Sequence, residues 1–244
     1  MIFLLAVLAA GIWSRFAGGG PRTKAQKSTL VYGEDIFNPA DYPDYVPLDR
    51  QVEVLRSFGF PVTDQMADRQ RAAAQDALLR VYVEGYPYTA LLTELGAPAR
   101  DENACIAEYR KEVFWFDFEG WDISSDYIEV LEGMLALAEG GPLETVTEIT
   151  EDTGNMDWEA GSGSITVALL WNGKPCSWDM DVEYDWIDAD ILGVFNGLLG
   201  QTDAGERFYV TGDNGQGALV FYRTPEWAKA FEKATGLVLE APVV

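Results

Sequence analysis

The sequence predicts an α+β fold, mainly antiparallel sheet with helices packed on one face, preceded by a helical N-terminal part. Three observations carry that expectation. Two Asn-Gly dipeptides, Asn172-Gly173 and Asn214-Gly215, each sit between runs of alternating apolar and polar residues. Stripes of helical period recur between those runs, at Ile128, Leu131, Leu135 and Ala138 and again at Ile191, Val194, Phe195 and Leu198. Residues 49–95 carry helix starts and stops without any alternating run.

Taken in order, the chain opens on an unbroken apolar run, Ile2 to Trp13. As a helix it reaches about 18 Å, short of a hydrocarbon core of about 30 Å. Arg15, Arg22, Lys24 and Lys27 follow it and no base precedes it, so the positive-inside rule makes 1–17 a membrane anchor with the body in the cytoplasm. Small residues between Ala6 and Gly11 keep a cleaved leader and an extracellular body as the alternative. Gly18-Gly19-Gly20-Pro21 begins a linker over 18–29. Residues 30–100 then form an irregular plus helical segment and 101–244 an antiparallel α+β domain, or 30–244 a single domain.

Within the helical part, Asp49–Ser57 is a short helix. Thr63 caps a long helix running to about Tyr82, and Tyr88–Leu95 is a third, ended by Gly96 and Pro98. From residue 104 the order reads ββαβββαββα. Phe114, Phe116 and Phe118 share one strand face and Trp115, Asp117 and Glu119 the other, with Cys105–Tyr109 as the expected hairpin partner. Ser124 or Ser125 caps the next helix, and Glu144–Thr150 is a strand.

The turn at Asn172-Gly173 fixes a register. Trp171 faces Lys174, Leu169 faces Cys176, Val167 faces Trp178 and Ile165 faces Met180, leaving Thr166 with Asp179 and Ser164 with Asp181 on the wet side. Pro175 has no N–H to offer, which makes its strand an edge. The same logic at Asn214-Gly215 pairs Val210 with Leu219 and Phe208 with Phe221. Asp188 caps the helix between the hairpins, and Thr224-Pro225-Glu226 starts the last one.

Composition removes whole classes of function. The chain has no histidine, which excludes Ser-His-Asp and Cys-His catalysis and histidine zinc sites. A net charge of −23 excludes a nucleic-acid reader that works through phosphate contacts. Cys105 and Cys176 are too far apart for a CxxC motif and read as small buried hydrophobes in a cytosolic body, or as one disulfide in an exported one. The loop 212–217 lacks the lysine of a phosphate loop and precedes a strand. No cofactor is implied.

Three readings of function remain, from different classes. Between Glu112 and Glu206 there are 22 acids and one base, Lys174. Asp179, Asp181, Glu183 and Asp185, on the wet face of the edge strand, are then the docking residues of a non-enzymatic module for a basic protein or peptide, in an immunity-like or inhibitor-like role. The alternative is a carboxylate-based hydrolase or sugar-binding protein using Asp117, Glu119 and Asp122 beside Trp115 and Trp121. A weak oxygen-only metal site at Asp185, Asp188 and Asp190 supports a third reading, a calcium-stabilised extracellular module. The stretch from Asp179 lacks the sixth-place Gly and twelfth-place Glu of a calcium-binding loop.

Overall fold

The alternating segments do assemble as an α+β fold, in three antiparallel sheets, and the computed structural model describes residues 38–103, 105–119 and 126–244. The apolar run Ile2–Trp13 and the 18–29 linker lie outside these residues, as do Trp121, Asp122, Ser124 and Ser125. Among the described residues no helix is long and apolar enough to cross a membrane.

The helical part contains α1 (Leu48–Ser57), α2 (Asp64–Ala73) and α3 (Thr89–Gly96). The Thr63 hydroxyl accepts the Met66 N–H at 3.2 Å, the expected cap. The long helix to Tyr82 is not formed. The Asp76 carboxylate takes the Leu79 N–H at 3.2 Å and starts a separate turn, Ala77–Arg80, which widens into a π-turn at Val81–Gly85. One buried side chain ties these pieces together. Gln51, fully buried, donates to the carbonyls of Val46 (2.7 Å) and Val83 (2.9 Å) and accepts the Tyr88 N–H at 2.7 Å. That last bond holds Tyr88 at φ 72°, a conformation that costs a bulky residue roughly 1–3 kcal/mol.

A two-stranded ribbon, β1 (Ala99–Arg100) with β2 (Ile106–Glu108), follows. Here the expected partner of the Phe114 strand is wrong: 106–108 pairs with 99–100, while β3 (Phe114–Asp117) pairs with β8 (Gly217–Arg223). β7 (Arg207–Gly212) completes that sheet in the order β3-β8-β7. The second sheet has the order β4-β5-β6, from β4 (Val146–Asp157), β5 (Ser162–Trp171) and β6 (Lys174–Glu183). Helices α4 (Asp126–Leu137), α5 (Val194–Leu199) and α6 (Pro225–Thr235) complete the predicted element order.

The first Asn-Gly hairpin has the predicted register throughout, from Trp171 opposite Lys174 to Ser164 opposite Asp181. Asn172 at φ 53° and Gly173 at φ 69° give the two left-handed positions that a type I′ turn requires. The second is shifted by one residue. Val210 faces Val220, Phe208 faces Tyr222 and Tyr209 faces Phe221. The Asp213 carboxylate accepts the N–H groups of Gly215 (2.7 Å) and Gly217 (3.1 Å), folding the loop around itself and lengthening it by one residue.

That shift decides which core each side chain joins. Phe208, Val210, Val220 and Tyr222 enter a cluster with α4, α5 and the inner face of β5 and β6. Leu219 and Phe221 enter a second cluster with α1–α3 and Phe231 of α6. The β3-β8-β7 sheet therefore has helices on both faces, whereas the sequence predicts one. Gly133 lets α4 lie directly on β3, since a Cβ there would fall 2.5 Å from the Phe114 ring. Of the two three-stranded sheets among the described residues, β4-β5-β6 is the one that keeps a face open to water, its inner face being filled by Ile165, Val167, Leu169, Met180 and Val182.

Replacing Gln51 with Leu removes three hydrogen bonds, two of them buried, at the Val83 carbonyl and the Tyr88 N–H, and one half-buried, at the Val46 carbonyl. Urea unfolding is expected to show a loss of about 2–4 kcal/mol. A loss below about 0.5 kcal/mol, the range of an ordinary surface change, contradicts the role given to this side chain.

Candidate functional site

The open face of the second sheet is built from strand alternation. Along β5 the outward residues are Ser164, Thr166, Ala168 and Leu170. Across them in β6 stand Asp181, Asp179, Ser177 and Pro175, and in β4 Asn155, Asp152, Thr150 and Thr147. Apart from Leu170 near the hairpin turn, the centre of the face is thus small or hydroxylated, and its two flanks carry acids. Asp179, Asp181 and Glu183 are all exposed, and Asp179 accepts the Thr166 hydroxyl at 2.7 Å. Asp152, Asp157, Asp179, Asp181, Glu183 and Asp185 have no ion-pair partner among the described residues.

β6 is an edge, as Pro175 predicts, and one end of that edge is sealed. Asp181 donates its N–H to the Asp188 carboxylate at 3.0 Å, and the Tyr127 hydroxyl reaches the Asp181 carbonyl at 3.4 Å. Asp188 also accepts the Asp190 N–H at 3.0 Å, capping the 3-10 turn Ala189–Gly193. Its carboxylate is thereby spent on backbone donors. Asp185 and Asp190 point to solvent, and no group of three or more His, Cys, Asp or Glu able to hold a metal converges among the described residues.

The second predicted set lies where β3 ends. Asp117 and Glu119 are brought together: the Asp117 carboxylate accepts the Glu119 N–H at 3.0 Å, and the Gln216 amide donates to Glu119 and lies in hydrogen-bonding reach of Asp117. Burial pushes the Asp117 carboxyl above its ordinary pKa, helped by the charges of Asp213 and Glu119 and opposed by these hydrogen bonds. Asp122 lies outside the described residues. Trp115 is no open stacking platform. It packs against the second core cluster and donates its indole N–H to Asp213 at 2.8 Å.

Asp213 and Gln216 are the residues that sequence reasoning missed at this cluster. Asp213 is 5% exposed, and its carboxylate is fully used by Trp115 and the hairpin backbone. The signal for it was the Asp-Asn-Gly order, since an Asp before a tight turn readily captures backbone N–H groups. The two predicted acidic sets are also neighbours. Glu119 forms an antiparallel bridge with Trp186, and Ile187 donates to the Phe118 carbonyl at 2.9 Å, so the end of β3 meets the segment that follows β6.

Both cysteines are free; Cys176 is half-buried and Cys105 exposed. Cys105 is not the buried hydrophobe the sequence suggests, because it closes a surface turn on the Asp101 carboxylate at 3.0 Å. A shallow cavity of about 390 Å³ lies beside the end of α4, lined by Lys111, Glu132, Leu135 and Glu139 among others. Its Lys111 is already paired with Glu139. No protein-family model matches this chain, and comparison with curated proteins and with solved structures returned no match.

The raised pKa of Asp117 has a definite sign. Folding favours its protonated form, so its contribution to stability is present below the ordinary carboxylate range and is lost as pH rises through the folded-state value. Asp117→Asn is expected to melt higher than the wild type at pH 7, with the difference shrinking towards pH 3.5. A melting difference that is the same at both pH values contradicts the burial argument.

Proposed function

We propose that this chain is a non-enzymatic acidic binding module that docks a basic protein or peptide on the open face of β4-β5-β6. The supporting observation is that the broad sheet face left to water among the described residues is bordered by Asp152, Asp179, Asp181 and Glu183 with no cation among them. Those carboxylates repel one another, which costs stability in the free protein and is relieved when a cationic surface arrives. Their central neighbours Ser164, Thr166 and Ala168 are small and leave room for such a partner to lie against the strands. An inhibitor-like or immunity-like role, in which this face masks a basic partner, follows the same logic. The apolar run Ile2–Trp13 adds a membrane tether to the proposal on the strength of its sequence alone.

A second reading, a carboxylate-based hydrolase or sugar binder, draws on the half-buried Asp117 with its raised pKa next to Glu119. Two carboxyls in unlike environments are what general acid chemistry on a glycoside needs. Against it stand the hydrogen bonds that hold both groups to Gln216 and the backbone, and the engagement of Trp115 in the core. Activity on glycoside panels that is lost in Asp117→Asn would restore that reading.

Decalysine is a suitable probe for the docking face. Its Kd for the full chain is expected to rise at least tenfold between 50 and 300 mM salt, because exposed charges are screened over a Debye length that shortens to less than 10 Å. The triple variant Asp179→Asn, Asp181→Asn, Glu183→Gln is expected to weaken binding by about tenfold at 50 mM salt, roughly 0.5 kcal/mol per exposed charge. Absence of binding at 50 mM, or equal affinity in the triple variant, overturns the proposal.

A further inference from the structure

One end of the β4-β5-β6 sheet carries two aromatic side chains that the cores leave unused. Trp158 is 60% exposed in the turn from β4 to β5, and Tyr184 is 68% exposed just past β6. The turn that presents Trp158 is firmly held. Gly161 donates to the Asp157 carbonyl at 2.8 Å, and the Asp157 carboxylate accepts the N–H groups of Glu159 and Ala160, both at 3.0 Å. Tyr184 is tied to the same turn: its N–H donates to the Gly161 carbonyl, and its ring lies over Gly161. Its φ of 59° is an unfavourable conformation for a bulky residue. Trp158 therefore stands in a fixed turn and Tyr184 in the segment bonded to that turn, and neither has an aromatic or cationic partner among the described residues.

Each ring is bracketed by carboxylates in the sequence itself, as Asp157-Trp158-Glu159 and Glu183-Tyr184-Asp185, and all four acids are exposed. The only base between Glu112 and Glu206, Lys174, begins β6 beside the turn at the opposite end of the β5-β6 hairpin. An isolated exposed aromatic needs no explanation, but two at one end of a sheet among four acids offer a specific chemistry. A guanidinium is planar and weakly hydrated, stacks on ring faces, and bonds carboxylates through its fork of N–H donors. An ammonium is compact and strongly hydrated and gains much less from the rings.

We infer that this aromatic tip is the anchor of the docking face and selects an arginine-bearing partner over a lysine-bearing one. The inference rests on the reading of the face as a cation-docking surface and adds to it the identity of the cation. Tyr and Trp are also the residues that most often carry the binding energy of an interface.

The test compares deca-arginine with decalysine on the full chain at equal ionic strength. The wild type is expected to bind deca-arginine about tenfold more tightly. The Trp158→Ala, Tyr184→Ala variant is expected to lose most of that preference while its decalysine affinity stays within about twofold. The Trp158→Phe, Tyr184→Phe variant, which keeps both rings, is expected to retain the preference, and all three proteins should melt at similar temperatures. Equal binding of the two peptides by the wild type overturns the aromatic anchor and leaves the acidic face standing. A preference that survives the double alanine change also overturns the anchor. Failure of both peptides to bind overturns the anchor together with the docking face.

Discussion

Burial of the β3-β8-β7 sheet on both faces is the constraint from which the rest of the structure follows. Leu219, Val220 and Phe221 of the central strand β8 are each fully buried, and successive residues point to opposite cores. One side receives α1–α3 and α6, with Phe60, Phe221, Trp227 and Phe231 packed ring against ring. The other receives α4, α5 and the inner face of the second sheet. With both faces of this sheet and one face of its neighbour committed to the interior, the outer face of β4-β5-β6 is the only broad sheet surface left to water among the described residues.

The charges divide along the same line. Ion pairs are made by bases from Arg50 to Lys111, most of them in the helical part: Arg69 with Glu94, Arg71 with Asp49 and Asp68, Arg80 with Glu84. These are exposed or half-exposed pairs, each contributing at most about 1 kcal/mol, so they shape the surface more than they hold the fold. The open sheet face has no such compensation. Stability alone gives no reason to gather unpaired carboxylates there, since like charges on a sheet destabilise it. Under the proposed function a cationic partner would supply the reason, and the exposed rings of Trp158 and Tyr184 at one end of the sheet would give it a place to anchor.

How much of this was legible in the sequence depended on how many faces of each element are wet. The Asn172-Gly173 hairpin was readable residue by residue because one side of it alternates with Thr166, Asp179 and Asp181, and a one-residue slip would have buried acids. The Asn214-Gly215 hairpin offered no such check. With both faces buried, Val210, Leu219, Val220 and Phe221 are acceptable in either register, and the Asp213 carboxylate settled the matter through the loop. The break in the 64–82 helix turned on a single side-chain acceptor, Asp76. The pairing of β3 with β8 joins residues about a hundred positions apart, which no local pattern reveals. Trp158 and Tyr184 did leave a signal, an aromatic between two acids, but the buried Phe118 between Asp117 and Glu119 carries the same signal, and it becomes meaningful only once the fold brings the two exposed rings to one end of the sheet.

The most direct measurement is the set of backbone amide NMR shifts of the full chain as decalysine is added at low salt. Changes are expected to concentrate in 146–185, with the amides of 48–96 and 207–223 unmoved. Changes centred on β7, β8 or α1–α3, or spread evenly over the chain, would contradict the assignment of the open sheet face as the docking surface.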